Sequence, residues 1–283
     1  MATRTKQQRI ARRRKLLRIV GGTLLMLVLG AAWIWQRTLP LERVEVAGAV
    51  HAPTAEVVAL THAVPDSVAL FSLSPALIAD RAQRHPWVES ATVRRLPTGT
   101  LRIAVEERVP VVLVLDGAGR PSHFLDAEGF AMPVAAASPA LFDVPVLTGA
   151  PPYHPAQPVA SDHLRSFLAA LDRADEATQA LVSEVQWGRR ATLWTTPVAE
   201  HGSLPVRLDP TGDTADQLRR LRAFWDQAIL PRPEVRFETV DLRFRGQVVT
   251  READPDAPTV PPDSTATPPA SAEAPAASAT PSA

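Results

Sequence analysis

Residues 86–115 read PWVESATVRRLPTGTLRIAVEERVPVVLVL, and the fold can be predicted outward from them. Apolar and polar side chains alternate within residues 91–94 and again within 101–106. A period of two is typical of strands with one buried face, and the intervening LPTG supplies a turn. The stretch therefore predicts a β-hairpin that follows a helix ending before Pro86.

A strand and two helices are predicted upstream of this hairpin. Apolar and charged residues alternate over 43–46, which favours a half-buried strand. One helix is expected from about Thr54, and another begins at Ser74 and Pro75, the preferred N-cap and first-turn residues. Because two helices can cover one face of a three-stranded sheet, we expect a small α+β module of strand, helix, helix, strand, strand.

Downstream, apolar runs closed by Gly, Asp or Pro predict a larger, β-rich domain. Two helices with apolar spacing of i, i+3, i+4 interrupt it, one behind Ser161 and one behind Thr214, whose Gln217 would complete a capping box. The final part predicts extended segments at 235–244 and 248–250 around a turn at Gly246.

An apolar stretch near the amino terminus predicts a membrane anchor. Residues 19–35 contain no charged side chain and follow eight Lys and Arg residues within 1–18. With Leu16 and Leu17 the helix would reach about 30 Å, the thickness of the hydrocarbon core. A cleaved signal peptide is the alternative, but bulky residues continue past the small residues where cleavage would occur. The predicted anchor residues are Ile19, Leu24, Leu27, Trp33 and Trp35.

The distribution of charge predicts how the anchor is oriented. The basic segment should stay cytoplasmic and contact anionic membrane lipid, which makes the chain a single-pass type II protein with its bulk outside the cytoplasmic (inner) membrane. After residue 18 the chain has 22 basic and 30 acidic residues, and that balance argues against binding to nucleic acid.

Composition also bounds the fold and the chemistry. The chain has 283 residues and no cysteine, which excludes disulfides, iron-sulfur clusters and Cys-built zinc sites. We predict an α+β protein with a transmembrane helix, the small module, the β-rich domain with two main helices, and a disordered Pro- and Ala-rich tail. The predicted boundaries are 1–18 for the basic segment, 19–35 for the span, 41–108 for the module, 109–252 for the β domain and 253–283 for the tail.

Signatures of catalysis are missing from the sequence. It contains no P-loop, G-x-G-x-x-G, G-x-S-x-G or H-E-x-x-H pattern, and its seven histidines are scattered. Asp209 and Asp213 could suggest a cation loop, but a turn before a helix explains them with fewer assumptions. We therefore expect no metal, no cofactor and no enzyme. The charged final strand could instead bind another chain through a free edge, unless its charges only prevent association and its apolar residues are core.

A series of motifs resembles the FtsQ/DivIB family of bacterial cell division proteins. In order, they are VEVAG, HPWVESATVRR, LRIAVEERVPV, FLDAEG, VPVLTG and VDLRFRGQVV. The resemblance implies that the small module is a POTRA domain. It also implies a non-enzymatic scaffold at the division septum that binds FtsB/DivIC-like and FtsL-like bitopic proteins and other division proteins.

The same resemblance implies where the FtsB-type partner binds, by adding a strand near the carboxyl end of the β domain. The matching stretch here is 240–250. The family commonly has Tyr where Phe244 stands, and the turn after it looks shortened, so a hydroxyl contact is not expected. The predicted partner-binding residues are Val240, Leu242, Arg243, Phe244, Arg245 and Val248.

Two other functions are compatible with these features. A POTRA module also occurs in proteins for polypeptide transport or outer-membrane assembly, although no series of strands long enough for a membrane barrel follows here. An anchored envelope hydrolase is the third possibility, and turnover of peptidoglycan by the extracytoplasmic part would identify it.

Overall fold

A computed structural model describes the chain over residues 3–134, 142–197, 202–232 and 235–253. All but the first residue of the predicted disordered tail lies outside these ranges. The chain opens with a long helix, α1 (Thr3–Thr38), of which Lys15–Thr38 has a mean hydropathy of 1.9 and could span a membrane. The five predicted anchor residues lie in this section, and their side chains are exposed.

The first module has the predicted order of elements. They are β1 (Arg43–Ala47), α2 (Thr54–Thr61), a 3-10 turn (Leu70–Ser72), α3 (Pro75–Ala82), β2 (Val88–Arg95) and β3 (Thr100–Glu107). β2 and β3 form the predicted antiparallel hairpin, and β1 pairs with β3 in parallel. The Ser74 hydroxyl accepts a hydrogen bond from the Leu77 amide, which confirms the predicted N-cap of α3.

The second domain contains nine strands and three helices in its described residues. In chain order they are β4 (Val112–Leu115), β5 (Pro121–Leu125), β6 (Ala131–Pro133), β7 (Val146–Thr148), α4 (Asp162–Asp172), α5 (Glu176–Gln179), β8 (Val182–Gln186), β9 (Ala191–Thr195), β10 (Pro205–Leu208), α6 (Thr214–Phe224), β11 (Phe237–Asp241) and β12 (Val249–Glu252). α6 continues as a π-helical turn over Trp225–Ile229. The short helix α5 and the strand β6 are additions to the predicted elements.

All nine strands belong to one sheet with the order β12-β11-β10-β9-β8-β7-β4-β5-β6. The buried residues of α4 and α6 share one hydrophobic core with the inward side chains of the sheet. They lie at the predicted i, i+3, i+4 spacing and comprise Leu164, Phe167, Leu168, Leu171, Leu218 and Leu221. The two main helices were predicted, and the shared core shows that both cover one face of the sheet.

The amino-terminal end of α6 differs from the prediction. Asp213, not Thr214, is the N-cap, and its carboxylate accepts the Asp216 amide at 3.0 Å. Gln217 does not complete a capping box. Its side chain bonds both backbone groups of Asp209, at 2.8 and 3.0 Å. A carboxylate is favoured at this position because it satisfies a free amide and also opposes the positive end of the helix dipole.

The first module and the β domain share a core where they meet. The Trp87 ring stacks on His51 at 5.1 Å and on Phe142 at 5.8 Å, and it contacts Phe124 of β5 edge-on at 6.1 Å. Met132 of β6 is fully buried in the same cluster. Trp87 is thus a core residue, as its place after a helix-ending proline indicates.

Candidate partner-binding edge

The sheet of the β domain ends in a strand that has a neighbour on one side only. β12 pairs antiparallel with β11, with Thr250 opposite Val240 and Val249 opposite Asp241. All four residues of β12 are exposed, and among the described strands none pairs with its other side. An edge of this kind presents free backbone N–H and C=O groups to which another extended chain can bond.

β11 cannot offer such an edge, which corrects part of the sequence prediction. It is paired on both sides, in parallel with β10 and antiparallel with β12. It is also shorter than the predicted 235–244, because it ends at Asp241. Val240 and Leu242 are 0% and 1% exposed and lie in the core of the domain. Their side chains therefore hold the ribbon, meaning β11, β12 and the turn between them, to the rest of the sheet. Of these two strands, β12 is the one with a free side.

Arg243 is held in a fixed orientation beside this edge. Its Nε lies 2.9 Å from Oδ1 of Asp241 and its Nη2 lies 2.6 Å from Oδ2. These hydrogen bonds from Arg243 lower the pKa of Asp241, and the same carboxylate raises the pKa of the guanidinium. The Arg243 side chain is still 41% exposed, so it can present its remaining N–H groups to a partner.

The turn between β11 and β12 presents an apolar side chain to solvent. Phe244 is 52% exposed, Arg245 beside it is exposed, and Gly246 has a φ of +67°. That φ suits glycine, since a side chain there would be strained. Val248 is half-buried against the core. An exposed phenylalanine flanked by arginines offers both apolar contact and charge at the end of the free edge.

One residue that contacts this turn is missing from the sequence prediction. Arg220 of α6 donates hydrogen bonds to the carbonyl oxygens of Leu242, Phe244 and Gln247 at 3.0, 2.8 and 2.6 Å. It lies on a helix whose apolar spacing was readable, but contacts between a side chain and distant carbonyls follow no periodic pattern. The only signal available was that a charged residue lies next to the buried stripe of α6.

Asp209 and Asp213, considered above as a possible cation loop, accept hydrogen bonds from neighbouring residues instead. Asp209 accepts the amide and hydroxyl of Thr211 at 3.0 and 2.8 Å, and these hydrogen bonds lower its pKa. Asp213 is the N-cap of α6. Over the described ranges, no group of three or more His, Asp or Glu side chains is placed to hold a metal ion.

Comparison with known families matches the chain from residue 39 to residue 251. The family model described as "POTRA domain, FtsQ-type" matches residues 39–108, and the model described as "FtsQ/DivIB, C-terminal related" matches residues 109–251. Together the two models account for the first module and for the β domain through β12.

Two relatives of similar length support the same grouping. The "Cell division protein FtsQ" of Rhodothermus marinus is 46% identical over 253 residues, which cover 88% of this chain and 91% of that protein. The protein of that name from Salinibacter ruber is 39% identical over 256 residues, or 87% of this chain and 97% of the relative. A solved extracytoplasmic domain of the division protein DivIB from Geobacillus stearothermophilus is 19% identical, with 45% of this chain and 97% of that domain covered and a TM-score of 0.31.

Proposed function

Since the chain belongs to the FtsQ/DivIB family of cell division proteins, we propose that it is a non-enzymatic scaffold of the bacterial division machinery. It captures a bitopic partner of the FtsB/DivIC type through β12 and acts together with an FtsL-type protein at the septum. In this role the protein supplies a binding template and joins earlier to later division proteins, with the POTRA module linked to recruitment.

The observation that supports this proposal is the one-sided pairing of β12. A partner segment can continue the sheet by main-chain hydrogen bonds, which give affinity with little dependence on side chains. Phe244 and Arg243 lie at the end of that edge and would supply specificity through apolar contact and charge.

The amino-terminal helix supports a location for this scaffold. α1 is the one described helix long and apolar enough to span a membrane, which fits a single-pass protein. The eight basic residues before residue 19 favour retention of that end in the cytoplasm. The POTRA module and the β domain would then lie outside the cytoplasmic membrane, where the extracytoplasmic parts of bitopic partners are accessible.

A pair of matched substitutions tests the side-chain contacts. Phe244→Asp places a charge on the exposed ring position beside β12 and should weaken capture of the FtsB-type protein of the same bacterium at least ~10-fold. Tyr153→Asp is the control, because Tyr153 is also exposed (45%) but contacts His123 on β5, near the opposite end of the sheet. Equal capture by both variants and the wild type would show that Phe244 is not part of the site.

A pair of proline substitutions tests the main-chain pairing. Successive amides of a strand point to opposite sides, so Thr250→Pro and Arg251→Pro remove one outward and one inward N–H of β12. The variant that loses the outward N–H should keep its fold and lose partner capture. If both variants retain full capture in a pull-down from membranes, strand addition at β12 is wrong.

A further inference from the structure

We propose that Arg220 is a positioning residue for the partner-binding edge, because it joins α6 to three carbonyl groups of the turn between β11 and β12. The inference rests on the proposed function only for its consequence in partner binding. The ordering of the ribbon by Arg220 can be measured on the protein alone.

The Arg220 guanidinium lies between α6 and the turn, and nearly all of its N–H groups donate to an acceptor. Nη1 donates to Phe244 O at 2.8 Å and to Gln247 O at 2.6 Å, and Nη2 donates to Leu242 O at 3.0 Å. Nε donates to Oδ2 of Asp216 at 2.8 Å, one turn earlier in α6. Four of the five N–H groups of Arg220 therefore have a partner.

Burial and bonding partners distinguish Arg220 from the neighbouring arginine on α6. The Arg220 side chain is 15% exposed, whereas that of its neighbour Arg219 is 69% exposed. Arg219 also bonds Asp216, at 3.3 Å, but it contacts no carbonyl of the turn. A planar fork with fixed directions can hold three carbonyls at once, and a lysine ammonium at the same position could not reproduce that geometry.

The first part of the turn is also held by Leu242, which is buried and whose amide bonds Arg207 O at 2.9 Å, and by the hydrogen bonds from Arg243 to Asp241. The part of the turn that follows Arg243, and β12 after it, have few restraints besides Arg220. Within the turn itself, the Gln247 amide donates a hydrogen bond to Phe244 O at 3.3 Å. β12 has four residues, all exposed, and it pairs with β11 alone. A short exposed edge strand frays easily, because it buries little apolar surface to offset the entropy of ordering. By fixing both ends of the turn to α6, Arg220 keeps β12 aligned and Phe244 at its end.

Three variants of the full chain in detergent micelles test the ordering. Amide hydrogen exchange over residues 242–252 should become roughly 10-fold to 100-fold faster in Arg220→Ala and be intermediate in Arg220→Lys. Arg219→Ala, the matched control, should exchange like the wild type. Amides of β8 and β9, in the middle of the sheet, should be unchanged in all three, which separates a local effect from general destabilisation. Unchanged exchange over 242–252 in Arg220→Ala would overturn the proposal, whatever happens to partner binding.

Partner capture by the same variants tests the consequence. Arg220→Ala should bind the FtsB-type partner at least ~10-fold more weakly with slower association, since the edge must be ordered before it can pair. Arg220→Lys should recover part of the affinity, and Arg219→Ala should bind normally.

The proline variants of β12 separate failure of this inference from failure of the proposed function. If a proline abolishes capture and Arg220→Ala does not, the positioning role is wrong and the site is right. If neither affects capture, β12 is not the site, and hydrogen exchange over residues 242–252 alone decides whether Arg220 orders the turn.

Discussion

The two ends of the nine-stranded sheet are built in opposite ways. At the closed end, β5 and β6 place Phe124 and Met132, which are 7% and 0% exposed, in a core shared with the POTRA module. At the open end, every residue of β12 is exposed. Burial fixes the closed end to its neighbour, whereas β12 at the open end is held to β11 by main-chain hydrogen bonds and an exposed ion pair and is left available for another chain.

The largest effect is expected from breaking the buried ion pair at the closed end. Nη1 of Arg108 lies 2.6 Å from Oδ2 of Asp126, and their side chains are 12% and 4% exposed. Asp126→Ala leaves the guanidinium buried without its partner and should lower the free energy of unfolding by about 3–5 kcal/mol. Urea-induced unfolding followed by tryptophan fluorescence would measure it.

An exposed ion pair is the control for this substitution. Asp80 and Arg84 of α3 lie 2.9 Å apart and are more than half exposed. Asp80→Ala should lower the free energy of unfolding by less than about 1 kcal/mol. Similar losses for the two aspartates would mean that the junction contributes no more than the surface does.

Truncating one apolar side chain at each end compares the ends directly. Met132→Ala removes a fully buried side chain and should lower the free energy of unfolding by about 2–5 kcal/mol. Val249→Ala removes a side chain that is 45% exposed and should change it by less than about 0.5 kcal/mol. Equal losses in urea unfolding would contradict the assignment of one closed and one open end.

A carboxylate of the POTRA module, Glu107 at the end of β3, should make stability depend on pH. Burial alone would raise the pKa of Glu107, but hydrogen bonds from the Ala52 amide, the His51 ring and the amides of Val50 and His51 lower it below 4.5 overall. A lowered pKa in the folded state means that the ionised group stabilises the protein above its unfolded-state pKa. That contribution is lost as the pH falls through the folded value.

Glu107→Gln should therefore lower the free energy of unfolding by about 1–3 kcal/mol at pH 7 and by less below pH 4.5. Glu106→Gln is the control, because its carboxylate lies on the opposite face of β3 and accepts a solvent-exposed hydrogen bond from the Ser90 hydroxyl of β2. A difference between Glu107→Gln and the wild type that stays constant down to pH 3 would rule out this carboxylate as the titrating group. Urea unfolding at a series of pH values provides the measurement.

The elements of the POTRA module were predictable because each is set by local features. The alternation of apolar and polar side chains predicted β2 and β3, and Ser74 with Pro75 predicted the start of α3. The pairing order of the large sheet was not predictable, since β7 lies in parallel between β4 and β8 and β10 lies in parallel with β11. Such pairings depend on how distant apolar faces fit together, which no local pattern records.

The open end of the sheet was predictable as a region but not in detail. The motif VDLRFRGQVV predicted the region of the last two strands. β11 nevertheless ends at Asp241, before the predicted end at residue 244, because the Asp241 carboxylate accepts the Arg243 amide at 3.1 Å and turns the chain there. The exposure of Phe244 and the burial of Leu242 became distinguishable only once that turn was placed. The contacts of Arg220 lie 22 to 27 residues away along the chain, and apart from a charged residue beside the buried stripe of α6 the sequence carried no signal of them.

The smallest effect is expected from the charges on the open end. Arg251 of β12 and Glu238 of β11 form an ion pair at 2.8 Å with side chains that are 76% and 52% exposed. Arg251→Ala should change the free energy of unfolding by less than about 1 kcal/mol, and 0.5 M salt should shift it by no more than that, because water and ions screen such pairs. The charge would then serve mainly to prevent unwanted pairing between copies of the edge, so Arg251→Val should increase self-association in sedimentation velocity. A loss of several kcal/mol in Arg251→Ala would instead mean that charge fixes the open end as firmly as burial fixes the closed one.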